Sequence, residues 1–287
     1  EYGDWEYYAH NAGFNQTAFA DLQEDERTSR QLREYGEVRL LQQALNFREA
    51  KNSNRRGTGT IGDANWLMFD YNRGYSPDLE ASGISSIFRI PKFTYWFYQS
   101  QQPPEVLEIK NIKSGPMVKI ASWWTEDSPL DVTVFSNCNE VELFLNGKSL
   151  GRQSLALDRY SDQLRYPPFI FHVSRFEPGT LHAVGYLNEK EVAQDEVKTP
   201  GMPAAIQLEA DLSGIPINPD HRDVIFIYAR ITDENGTVVC DSDVPVSFTL
   251  KGDASLIGDN PAPAKAGIAT MILETRGLKQ PIKIRAA

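Results

Sequence analysis

Val141-Glu142-Leu143-Phe144-Leu145-Asn146-Gly147-Lys148-Ser149-Leu150-Gly151 is the stretch that decides the fold. Val141, Leu143 and Leu145 recur at every second residue, the period at which a strand turns its side chains to one face. Asn146-Gly147 then supplies the two residues that best tolerate the left-handed backbone of a type I′ turn, so two antiparallel strands meet there. Moving outward, Val132 and Val134 on one side and Phe169, Phe171 and Val173 on the other keep the period of two. Turn residues stand at Glu177-Pro178-Gly179 and Asn188-Glu189-Lys190. Residues 110–199 therefore read as one antiparallel β-sandwich, near the roughly 100-residue size of an immunoglobulin-like domain. Thr199-Pro200-Gly201-Met202-Pro203 is a linker, after which Ala205–Glu209, Val224–Ile231, the turn Asn235-Gly236, the return Val238-Val239-Cys240 and Val246/Phe248/Leu250 predict a second sandwich over 200–287.

Upstream the pattern changes. All five tryptophans fall within the first 124 residues. Arg27–Ala50 reads as an amphipathic helix with Tyr35, Val38, Leu41 and Leu45 inward and Arg33, Glu37, Arg39 and Arg48 toward solvent. The polar stretch Lys51–Gly59 ends it. The unalternating run Trp66-Leu67-Met68-Phe69 fits a strand covered on both faces, as in a parallel sheet. Ile90-Pro91 opens an aromatic helix reaching Gln102, with proline at an early position where its missing N–H costs little. Helix, buried strand, helix is the rhythm of an α/β layer, placed in residues 1–109.

The 287 residues carry 39 acidic and 29 basic side chains, a net charge of −10. That balance disfavours nucleic acid, whose phosphates need clustered Lys and Arg. No run reaches the roughly 18 apolar residues of a membrane helix. Cys138 and Cys240 fall in different predicted domains, which argues against a disulfide framework. Phosphate loops, serine elbows, His-Glu-x-x-His and paired Cys-x-x-Cys are absent from the sequence. The four histidines, at 10, 172, 182 and 221, are scattered, and His172 and His182 read as ordinary strand residues. No metal and no cofactor is expected. What remains is carboxylates beside aromatic rings, in Glu1-Tyr2-Gly3-Asp4-Trp5-Glu6-Tyr7-Tyr8 and in Gly62–Tyr71. Sugars pack C–H faces on rings and pair hydroxyls with polar side chains, and glycosidic cleavage uses two carboxyl groups.

These two stretches, together with Phe135–Lys148, resemble glycoside hydrolase family 2, the β-galactosidase and β-glucuronidase group. The resemblance is to the branch whose barrel is followed by extra sandwiches, and it covers essentially the whole chain. It implies the C-terminal part of a (β/α)8 TIM barrel over 1–109, then immunoglobulin-like sandwiches over 110–199 and 200–287. It implies a retaining exo-β-glycosidase acting on an oligosaccharide or β-galactoside, with Glu1 as the catalytic nucleophile. Asp4, Trp5, Trp66, Asp70, Asn72 and Arg73 become the substrate-binding candidates, with Trp66 stacking on or walling the sugar ring. His10 and Asn11 are weaker rim candidates. The aromatic run Phe93, Tyr95, Trp96, Phe97 and Tyr98 is expected to pack against the barrel.

The family's proton-donor glutamate would lie upstream of Glu1, so the chain alone is expected to be inert. Both ends read as cuts from a longer polypeptide, whose expected location is periplasmic or secreted. Two competing readings are a non-catalytic carbohydrate-binding or structural sandwich module and a β-glucuronidase. If the sandwiches bind nothing, they are expected to brace the barrel or to help build a homo-oligomer.

Overall fold

The computed structural model describes residues 31–74, 79–109, 112–218, 220–276 and 281–287. They belong to two compact units that part between Thr199 and Pro200. In the first unit a short 3₁₀ turn, Arg33–Tyr35, leads into helix α1 (Glu37–Arg56). Gly36 makes the junction at φ +94°, a conformation open to glycine and costly for other residues. A two-stranded ribbon of β1 (Tyr71–Asn72) and β2 (Leu79–Glu80) follows, then helix α2 (Phe93–Ser100).

The α1 surface that is buried differs from the expected one. Leu40, Ala44 and Phe47 are inside together with Glu37, Gln43, Asn46, Arg48, Glu49 and Asn52, whereas Tyr35 and Val38 are exposed and Leu41 and Leu45 only half-buried. The inward face is built substantially from polar side chains, and a count of apolar spacing passes over it. The helix also starts ten residues later than expected and continues through the polar stretch to Arg56. Pro91 precedes the α2 cap, Lys92, rather than opening the helix. Among the described residues the run Trp66–Phe69 does not form a strand: its one bridge is a parallel one between Phe69 and Ser85, and Trp66 and Met68 are 43% and 48% exposed. Among the described residues no neighbouring strands flank it to cover both faces.

The remainder of this unit is antiparallel. One sheet orders β3 (Val118–Ala121), β4 (Asp131–Ser136) and β7 (Phe169–His172). The other orders β6 (Lys148–Ser154), β5 (Glu140–Leu145), β8 (Thr180–Leu187) and β9 (Lys190–Lys198). Their inner faces share one core containing Ile120, Val132, Val134, Phe171, Val141, Leu143 and Leu181, so this is a β-sandwich. Asn146 and Gly147 turn the β5–β6 hairpin at φ 52° and 77°, and Asn188 and Glu189 turn β8–β9 at 50° and 64°. Both are the left-handed pair that a two-residue hairpin loop requires.

A second core joins the helices to this sandwich. Leu40, Phe47, Phe93 and Phe97 pack with Ala121, Phe135 and Leu164. The aromatic run of α2 packs inward, against α1 and against Phe135 of the sandwich, with the Phe97 and Phe135 rings 5.9 Å apart.

The second unit is again antiparallel, with β10 (Ala205–Asp211), β11 (Val224–Thr232), β14 (Ile268–Thr275) and β13 (Ala254–Ile257) in one sheet. A two-stranded sheet of β12 (Phe248–Lys251) and β15 (Lys283–Ala286) faces the same core of Ile225, Ile227, Ala229, Phe248, Met271 and Leu273. The expected return over Val238–Cys240 is reduced to a bridge between Thr232 and Val238.

Candidate functional site

Two pieces of backbone, residues 66–73 and 79–85, lie side by side and carry every described candidate. Leu67 N–H donates to the Ser82 carbonyl (3.4 Å), Ile84 N–H to Leu67 (3.0 Å), Ser85 N–H to Met68 (3.0 Å) and Asp70 N–H to Ser85 (3.0 Å). The approach is so close that a β-carbon on Gly83 would meet Asp70 N at 2.1 Å.

Beneath this pair runs a buried polar network. The Asp70 carboxylate, on a residue 2% exposed, accepts from Lys92 Nζ (2.7 Å) and from Gly83 N–H (3.0 Å), both at Oδ1. Lys92, 1% exposed, also donates to the Ala81 carbonyl (2.8 Å). From α1, Gln43 Nε2 donates to the carbonyls of Ala81 (3.2 Å) and Gly83 (3.1 Å) and to Gln31 Oε1 (3.1 Å), while its own oxygen accepts from Thr94 Oγ1 (2.9 Å). Asp70 Oδ2 finds no partner among the described residues. Burial raises the Asp70 pKa to about 6, and the Lys92 ammonium and the Gly83 N–H pull back against that shift. Nearby, Arg73 pairs with Glu80, whose Oε1 also accepts from Ser82 Oγ.

The structure thus separates the sequence candidates by role. Trp66 is exposed and meets Tyr71 edge-on, with ring centroids 6.0 Å apart. Asn72 is exposed on β1. Asp70 points inward to Lys92, and Arg73 is engaged with Glu80, so their charged groups support the segment from below. Glu1, Asp4 and Trp5, with His10 and Asn11, lie outside the described residues. Sequence reasoning missed Gln43, Glu80 and Lys92. The one local signal was a lysine directly after Ile90-Pro91, where a side chain that makes no cap hydrogen bond is free to turn into the core. Among the described residues no group of three His, Cys, Asp or Glu side chains could hold a metal ion, and no helix is long and apolar enough to cross a membrane.

An exposed indole and amide on a segment braced by buried charge, joined to a β-sandwich and followed by another, is an arrangement suited to presenting a ring to a saccharide. Residues 206–287 match the family described as glycoside hydrolase family 2 C-terminal domain 5, and residues 127–193 match a domain of unknown function, DUF4982. A β-galactosidase of Thermoanaerobacter pseudethanolicus is 33% identical over 223 residues, covering 72% of this chain and 29% of that protein. A β-glucuronidase of Formosa agariphila is 27% identical over 198 residues, 67% of this chain and 18% of that protein. The crystal structure of a β-glycosidase from Bacteroides vulgatus matches 83% of this chain and 31% of its own with a TM-score of 0.65 at 24% identity, which speaks to the fold. The chain belongs to glycoside hydrolase family 2, as its C-terminal region. It spans less than a third of the length of these relatives.

Proposed function

We propose that the polypeptide carrying this chain is a retaining exo-β-glycosidase whose substrate is a β-galactoside. The observation that carries the reading is the 33% identity to a β-galactosidase over 223 residues, 72% of this chain. In this reading residues 1–109 are the end of a (β/α)8 barrel and the following sandwiches are immunoglobulin-like. Glu1 attacks the anomeric carbon while an acid elsewhere in the polypeptide protonates the departing oxygen. Water then cleaves the glycosyl–Glu1 ester, with that acid now acting as base. Trp66 offers its ring to the C–H face of the sugar, Asn72 an amide to its hydroxyls, and Asp4 and Trp5 complete the subsite. Asp70 and Arg73 serve from beneath. The polypeptide works in the periplasm or outside the cell, and the sandwiches brace the barrel or build a homo-oligomer.

Supporting the brace over a free-standing binding module are the polar ties between α1 and the first sandwich. Asp162 accepts from Asn52 Nδ2 (2.7 Å) and, at both carboxylate oxygens, from Arg56 Nη2 (2.7 and 2.8 Å), and Asn52 Oδ1 accepts from Gln163 N–H (2.7 Å). A second reading, a β-glucuronidase, is favoured by the Formosa agariphila relative. Turnover of p-nitrophenyl β-galactoside and p-nitrophenyl β-glucuronide by the full-length polypeptide decides between them. The galactoside is expected to be hydrolysed and Glu1→Gln to abolish it. Preference for the glucuronide would replace the first reading, and turnover of neither would end both. The 287-residue chain by itself should turn over neither.

A further inference from the structure

We propose that Lys92 and Asp70 are a positioning pair that fixes the Trp66 indole where it meets the sugar, a role that rests on the glycosidase reading above. Among the described residues no apolar packing explains how that indole is held: it is 43% exposed, Met68 beside it is 48% exposed, and its ring partner Tyr71 is itself only half-buried. The segment is held by polar atoms instead. Four backbone hydrogen bonds tie residues 67–70 to 82–85. Lys92 Nζ then joins the two pieces from below, donating to Asp70 Oδ1 on one (2.7 Å) and to the Ala81 carbonyl on the other (2.8 Å). Gln43 holds the second piece to α1 through the carbonyls of Ala81 and Gly83. Lys92 is fully enclosed and touches no substrate; it acts through Asp70, four residues along the chain from the indole. A ring that stacks on a sugar must be held to a fraction of an ångström, and a buried ion pair with several fixed bonds does this better than a half-exposed apolar contact.

Removing one partner strands a buried charge and lowers stability for reasons unrelated to Trp66. The decisive variant is therefore the neutral double substitution, Asp70→Asn with Lys92→Met, in which Asn keeps an oxygen for Gly83 N–H. Two readouts are taken beside the denaturation midpoint: steady-state kinetics of the full-length polypeptide on p-nitrophenyl β-galactoside, and the indole N–H resonance of Trp66, assigned with Trp66→Phe. The double variant should unfold near the wild-type midpoint and yet raise KM by ~10-fold or more, with a smaller fall in kcat, and should move the Trp66 resonance. Wild-type KM with an unmoved resonance in a stably folded double variant would overturn the proposal and leave the pair a purely structural one. If the wild-type polypeptide hydrolyses neither aryl glycoside, the glycosidase reading falls separately, and the Trp66 resonance alone still decides whether the pair positions the indole.

Discussion

A β-carbon on Gly83 would stand 2.1 Å from Asp70 N, 2.4 Å from Phe69 C and 2.6 Å from Ser85 O, all backbone atoms that cannot swing aside. Gly83→Ala should therefore force the two segments apart and cost about 3 kcal/mol or more, measurable as a lower urea midpoint. Asp70 makes a second prediction at this scale. Its pKa is raised to about 6 because burial penalises the charged form more than Lys92 and Gly83 favour it. The folded state thus holds the Asp70 proton more tightly than the unfolded chain does. This group's contribution to stability rises as pH falls through about 6 toward the ordinary carboxylate range, and declines as pH rises back through 6. A ¹³C titration of the Asp70 carboxyl should have its midpoint near 6, and Lys92→Met should push it higher still. That Trp66, Asp70, Asn72 and Arg73 share one short segment is legible in the sequence, while their candidacy as substrate-binding residues rests on the family resemblance. The roles of Lys92 and Gln43 were not legible, since their contacts span 22 and 38 to 40 residues.

Helix α1 shows what a periodicity misses when the inward face is polar. At its first turn, Glu37 Oε2 accepts from Trp123 N–H (3.1 Å) and Ser128 Oγ (2.7 Å), fastening the helix start to the sandwich. Burial raises the Glu37 pKa, and the hydrogen bonds from Ser128, Trp123 and Ser122 partly restrain it. Glu37→Ala strands a buried backbone donor and a hydroxyl, and should cost on the order of 1–3 kcal/mol in chemical denaturation. Glu37→Gln, which keeps an acceptor for Trp123 N–H or Ser128 Oγ, should cost less. The same chemistry explains the misplaced face: Glu37 and Arg48 look like solvent residues until their partners arrive from elsewhere in the chain, as Asp158 does for Arg48 at 3.6 Å. The strands were easier. The β5–β6 hairpin was readable because strand period and turn residues are both local, whereas Trp66–Phe69, judged by apolar content alone, was assigned to a sheet that the described residues do not form.

Among the described residues, three apolar clusters lie in two units. One lies within the first sandwich, a second is shared by that sandwich and the helices, and the third lies in residues 200–287. Residues 200–287 expressed alone should therefore melt cooperatively with their own core. Residues 110–199 alone would leave Ala121, Phe135 and Leu164 without Phe47, Phe93 and Phe97, and should bind a hydrophobic dye and unfold at lower denaturant than residues 31–199. The sequence announced the sandwiches through turns and alternation, but the shared second cluster joins positions as distant as Phe97 and Phe135, and no local reading shows it. For anyone assembling chimaeric glycosidases, the consequence is a choice of scissors. The terminal sandwich can be exchanged as a cassette at Pro200, whereas the first one has to travel with both helices, or the donor's aromatic cluster arrives in its new host half built.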